Sequence, residues 1–205
     1  MSEMTVADAP ATPPAHPVTS LGIDHRKLGI WAFLASECMF FGSLITTYLL
    51  YKDRIGSGPG PTDIFEIPFT SISSFVLLMS SLTMVLAHNA VLQRDRRRME
   101  LWLAATAMLG LVFIGGQVFE FTAFVREGMT LTTSPFASSF FVLTGFHGAN
   151  VTVGILMLLT LFTLSKMGRL SIEDHTRVDM IALYWHFVDI VWIVIFTFIY
   201  LIPVG

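Results

Sequence analysis

Apolar residues run almost unbroken over five stretches: Leu28 to Tyr51, Phe69 to Gln93, Glu100 to Phe124, Ala137 to Ser165 and Val178 to Ile202. Each reaches the roughly 20 residues that carry a helix across a bilayer. Hydrocarbon offers no hydrogen-bond partners, so a spanning chain must satisfy its backbone internally, as a helix or a closed barrel. Barrel strands alternate polar and apolar residues, and these runs do not. The pattern predicts an all-α membrane protein with one bundle of five transmembrane helices. They span about 28–51, 69–93, 100–124, 137–165 and 178–202, within a membrane domain over residues 26–205.

Polar positions between the runs supply the rest of the layout. Residues 1–25 are rich in Ala, Pro and Thr and have neither a basic start nor an apolar stretch. They read as a disordered cytoplasmic tail and not as a cleaved signal. The Gly-Ser-Gly-Pro-Gly-Pro stretch over Gly56 to Pro61 predicts a loop on the outer side. Arg26, Lys27, Arg94, Arg96, Arg97, Arg98, Lys166, Arg169 and Arg177 fall on one side, against Lys52, Arg54 and Arg126 on the other. The positive-inside rule then predicts a cytoplasmic N-terminus and an outer C-terminus.

Composition adds two exclusions. With 54% hydrophobic and 13% charged residues and a mean hydropathy of +0.70, the chain departs from soluble usage, and no Gly-rich phosphate loop or nucleotide-sized soluble domain is evident. Nothing in it points to nucleic acid. The single Cys38 removes an internal disulfide and any cysteine-based metal cluster, and predicts a small packing residue within the first helix.

Candidate chemistry lies where ionisable groups interrupt the runs. At 1.5 Å per residue, Glu37 falls roughly 13 Å into the first helix, His147 about 15 Å into the fourth from the other side, and His186 and Asp189 about 12–17 Å into the fifth. Three helices thus bring polar groups to one depth, where contacts between helices make them tolerable. His186 and Asp189 stand one turn apart on one face and are expected to hydrogen-bond each other. His147, between Gly145-Phe146 and Gly148, suits close packing as well as ligation, and a haem between His147 and His186 satisfies only a depth condition. His88 is expected to reach the headgroups, and Glu120 with Gln117 to stand near the wet outer end. One turn away from Glu37 are only Phe33, Leu34, Phe40 and Phe41. A carboxyl so placed is expected to hold its proton, the form that a carbodiimide reagent labels.

At these residues the sequence resembles subunit III of the haem-copper oxidases. The motifs are Ser36-Glu37 with Phe40-Phe41, Gln117-Val-Phe-Glu120, Thr144-Gly-Phe-His-Gly148 and Tyr184-Trp-His-Phe-Val-Asp-Ile-Val-Trp192, and the likeness covers about Lys27 to Ile202. The resemblance implies a V-shaped bundle with a lipid-filled cleft and no redox centre on this chain. Haem and copper are expected in partner subunits I and II, with direct packing on subunit I and a small subunit IV as a further neighbour. It implies bound phospholipid, support of proton uptake and protection from turnover inactivation, in the plasma membrane of a bacterium.

By the same likeness Glu37 matches the carbodiimide-reactive carboxylate, while His147, Asn150, His186, Asp189, Gln117 and Glu120 form an interhelical polar network. Two departures stand out. The chain resembles the last five of seven family helices, the missing pair often being fused to subunit I, and Asn150 replaces a usual second His. Lys166, Arg169 and Arg177 serve either as positive-inside signals alone or also as lipid-headgroup contacts. The rival function is an autonomous proton or ion transporter relaying through Glu37, His147 and Asp189, but paired repeats and helices broken at the midplane are not evident.

Overall fold

Helix ends in this chain are set by ordinary capping chemistry, and the long apolar runs between them do the rest. The computed structural model describes residues 25–56, 66–170 and 175–202. Among them are five helices long and apolar enough to cross a membrane, and no strand. They are α1 (His25–Tyr51), α2 (Ile67–Leu92), α3 (Arg96–Arg126), α4 (Pro135–Lys166) and α5 (Thr176–Phe196), the last continued by a π-helical turn over Thr197–Leu201. The tail expected over 1–25 lies outside the described residues except for His25, which opens α1, and most of the Gly56 to Pro61 loop lies outside them too.

The helices extend past the apolar runs because polar residues cap them. The Ser134 side chain accepts a hydrogen bond from the Ala137 amide at 3.1 Å, and Pro135 follows at the first position of α4, where no amide is needed. Asp95 caps α3 in the same way, accepting from the Arg98 amide at 3.1 Å. Arg94 beside it takes φ 58°, so that α2 turns into α3 within a few residues. Gly168 at φ 71° ends α4, where the Arg169 amide donates back to the Leu164 carbonyl at 3.0 Å.

The α2–α3 hairpin is the most extensive contact, α4 packs on α3, and α5 closes the bundle against α2, α4 and α1. The core lies between these helices, with Leu77, Leu103, Leu143, Leu158 and Trp185 fully enclosed. Two glycines let Trp185 in. A Cβ on Gly110 would sit 2.7 Å from its ring, and one on Gly154 2.8 Å from it. Helices α1 and α2 make no extended contact and, with α5, line a groove of about 380 Å³ at the end of the bundle that carries Lys27, Arg94 and Lys166.

Candidate functional site

Serine and threonine hydroxyls recur along α2 as Thr70, Ser74, Ser80, Ser81 and Thr83, and they supply partners for five polar groups of the other helices. Trp192 Nε1 donates to Ser74 Oγ at 2.9 Å, and Trp185 Nε1 donates to Ser80 Oγ at 3.0 Å. Ser81 Oγ pairs with His186 Nδ1 at 2.6 Å, and Thr83 pairs with Thr106 of α3 at 2.8 Å. Small hydroxyl residues let helices approach and then bond across the gap, which is why they suit such seams. The sequence carried this signal as a hydroxyl cluster inside an apolar run.

The expected bond between His186 and Asp189 does not form. Asp189 is 3% exposed and neither of its oxygens has a hydrogen-bond partner among the described residues. Spacing places the two side chains on one face; the neighbouring helix decides that His186 takes the Ser81 hydroxyl.

His147 is fully enclosed and neither ring nitrogen has a hydrogen-bond partner among the described residues. Its ring stacks on Trp192 with centroids 4.8 Å apart at 25°, and Phe113 and Phe41 present edges to it at 5.9 and 6.4 Å. His186 instead bonds to α2 and lines the groove beside α1. The two imidazoles do not face each other as a pair of haem ligands must. No group of three or more His, Cys, Asp or Glu side chains among the described residues is gathered to hold a metal ion.

Gln117 and Glu120 are buried and not wet as expected. Gln117 Nε2 donates to the Thr144 carbonyl of α4 at 2.7 Å, and its amide fills the space over Gly148, where a Cβ would lie 2.5 Å from Oε1. Glu120 accepts from the Thr70 hydroxyl of α2. Membrane depth alone could not show that neighbouring helices cover both residues.

Glu37 is half-buried in the chain, on the side of α1 that faces α4. Asn150 Nδ2 donates to Glu37 Oε2 at 3.0 Å, and Tyr184 Oη donates to the Asn150 carbonyl at 2.9 Å. One carboxyl, one amide and one phenol thus tie α1, α4 and α5 together. The asparagine supplies a donor for the carboxyl where an imidazole is expected.

The basic end of the bundle is held by two ion-pair clusters. Glu100 receives the Ser165 hydroxyl at 2.7 Å, Lys166 Nζ at 2.7 Å and Arg96 Nε at 3.3 Å, which fastens α3 to α4. Asp179 pairs with His88 of α2 and with Lys27 of α1 at 3.5 Å. His88 therefore joins helices, contrary to the expectation of a headgroup contact without further role. Glu100 and Asp179 escaped notice because each looks like an ordinary charge at a helix end. Arg169 is exposed past the end of α4, and Arg177 borders an apolar groove of about 390 Å³ between α4 and α5, lined by Val153, Leu156 and Met180 among others.

Comparison with known proteins agrees with this geometry. The family model for cytochrome c oxidase subunit III matches residues 16–204. A cytochrome c oxidase subunit 3 from Bacillus sp. (strain PS3) is 38% identical over 97% of this chain and 95% of its own length. A quinol oxidase subunit 3 from Bacillus subtilis (strain 168) is 38% identical over 87% of each, and a cytochrome c oxidase subunit 3 from Thermostichus vulcanus is 37% identical over 90% of this chain and 94% of its own length.

Proposed function

The chain belongs to the cytochrome c oxidase subunit III family, and from that premise we propose that it is the non-redox third subunit of a proton-pumping terminal oxidase that draws its electrons from cytochrome c. It braces subunit I, while haem and copper reside in subunits I and II; a small subunit IV is a further neighbour. It supports proton uptake and protects the catalytic subunit from inactivation during turnover. The observation that carries the reading is the family match over 16–204, nearly the whole chain. The geometry is in keeping with it: His186, Gln117, Glu120 and Glu37 are engaged in bonds between helices, as a brace requires.

In this reading the basic end faces the bacterial cytoplasm. Arg177, at the rim of the α4–α5 groove, receives an anionic phospholipid headgroup whose acyl chain lies along Val153 and Leu156. Glu37 is the carboxyl that a carbodiimide reagent modifies. Quinol as the electron donor is the second reading, favoured by the equal 38% identity to the quinol oxidase subunit of Bacillus subtilis.

A tagged chain drawn from detergent-solubilised membrane tests the assignment. Haem-bearing subunits are expected to come with it, and the complex to oxidise reduced cytochrome c. Recovery of a haem-free chain in mild detergent would overturn the subunit role, and turnover with quinol but not with cytochrome c would select the second reading. Arg177→Ala is expected to lower the phospholipid retained by the complex; unchanged retention removes the headgroup contact.

A further inference from the structure

The α2–α5 seam holds a file of exchangeable protons that bracing does not need. Asp179, His88 and Lys27 stand at the mouth of the groove, and His186 lines it about 10 Å deeper, seven residues along α5. Behind His186 are the Ser81 hydroxyl, bonded to its Nδ1 at 2.6 Å, and the Asp189 carboxyl, one turn deeper and without a hydrogen-bond partner among the described residues. An uncompensated carboxylate is not tolerated in such a place, so the group must either hold a proton or be offered one. Ser81 can make that offer, because its hydroxyl is bonded to His186, one turn from Asp189 on the same face of α5.

We infer that Asp189, Ser81 and His186 form a proton-exchange site, in which Asp189 stores a proton at mid-bundle and trades it through Ser81 with His186, and the groove joins His186 to water at the basic end. In the loaded form His186 carries its hydrogen on Nε2 and accepts at Nδ1. On discharge the O–H bond of Asp189 breaks and its proton passes to Ser81 Oγ, while the proton that Ser81 already holds passes to His186 Nδ1. The result is an aspartate that accepts from Ser81, and Ser81 in turn accepts from an imidazolium. The imidazolium then gives its Nε2 proton to water in the groove. One proton leaves the store, no electron moves, and reloading runs the same bonds backwards.

Of the charged and titratable groups on the elements around α5, His88 of α2 shares the groove with His186 and acts on its charge from the mouth. Lys27 from α1 and His88 from α2 both pair with Asp179 of α5 itself at the mouth. Glu37 from α1 is held by Asn150 of α4, and His147 of α4 is sealed among Trp192, Phe113 and Phe41. Ser81 is the hydroxyl bonded to His186 on the side chain's α2 face. The inference deepens the proton-uptake role proposed above and rests on that reading for its place in the enzyme.

Infrared spectroscopy of the purified complex, titrated in water and in deuterium oxide, tests the relay. A protonated-carboxyl band that Asp189→Asn removes is expected to fade with rising pH in step with an imidazole mode that His186→Gln removes. Ser81→Ala is expected to separate the two titrations, and Ser81→Thr, which keeps the hydroxyl, to restore their coupling. A native complex without the carboxyl band, or a Ser81→Ala complex that titrates like the native one, overturns the inference. Whether haem-bearing subunits accompany the chain is scored separately, so failure of the oxidase reading and failure of the relay remain distinguishable.

Discussion

Helices α1 and α5 are both apolar enough to cross a membrane, yet 11% of the apolar window of α1 is buried within the chain against 44% of that of α5. The buried residues of α1 are Leu34, Phe41 and Tyr48, a single ridge with a period of seven. Those of α5 include Val178, Ala182, Trp185, Val188, Asp189 and Trp192, which meet α1, α2 and α4. Glycines mark the same contrast: a Cβ on Gly29 or Gly42 of α1 would meet nothing within 4 Å, whereas one on Gly110 or Gly154 would strike Trp185. In hydrocarbon an apolar side chain is equally at home against lipid or protein, so shape complementarity, not hydrophobicity, decides which helix becomes central.

Substitutions on the two helices should therefore separate widely. Trp185→Ala is expected to have the largest effect, a loss of about 3–5 kcal/mol, because it leaves a cavity where four helices meet and removes the bond to Ser80. Thermal unfolding in detergent measures this, and a stability within error of the native chain would end the claim that α5 is the keystone. Gly154→Val should cost about 1–3 kcal/mol by driving a side chain into the Trp185 ring, while Gly42→Val on α1 should be near neutral in the same assay.

Asn150→Leu is expected to cost about 1 kcal/mol by removing the bond to Glu37, and to speed the reaction of Glu37 with a carbodiimide reagent. A slower reaction would show that Asn150 does not shield that carboxyl. Glu100→Gln should cost less than about 1 kcal/mol, since Lys166 and Arg96 are well exposed, and the loss should shrink as salt is raised. Met39→Ala, at a site 82% exposed on α1, is expected to change the stability of the isolated chain by at most about 0.5 kcal/mol. If that substitution loosens the assembled complex, α1 is where a partner subunit docks.

The spans were readable because hydrocarbon forces long, internally bonded helices, and the ends moved only by the few residues that caps such as Asp95 and Ser134 add. Glu37, His147, Gln117, Glu120, His186 and Asp189 were all visible as polar interruptions. Their partners were not. Ser81, Thr70 and Asn150 carry no sequence mark that assigns them to His186, Glu120 and Glu37, since pairing depends on how each helix is rotated about its axis. Spacing suggested a His186–Asp189 bond, and a hydroxyl on another helix outcompeted it.

By itself the sequence determined that this chain crosses a membrane five times and carries ionisable groups at mid-depth. It also determined the family, through motifs spread over most of its length. Tertiary structure alone decided that His147 would be sealed in aromatic rings, that Asp189 would be left without a hydrogen-bond partner among the described residues, and that α5 would be the helix around which the others close. The reason is that lipid fixes how long and how apolar a span must be, whereas only the fit between neighbouring side chains fixes which face each span turns inward.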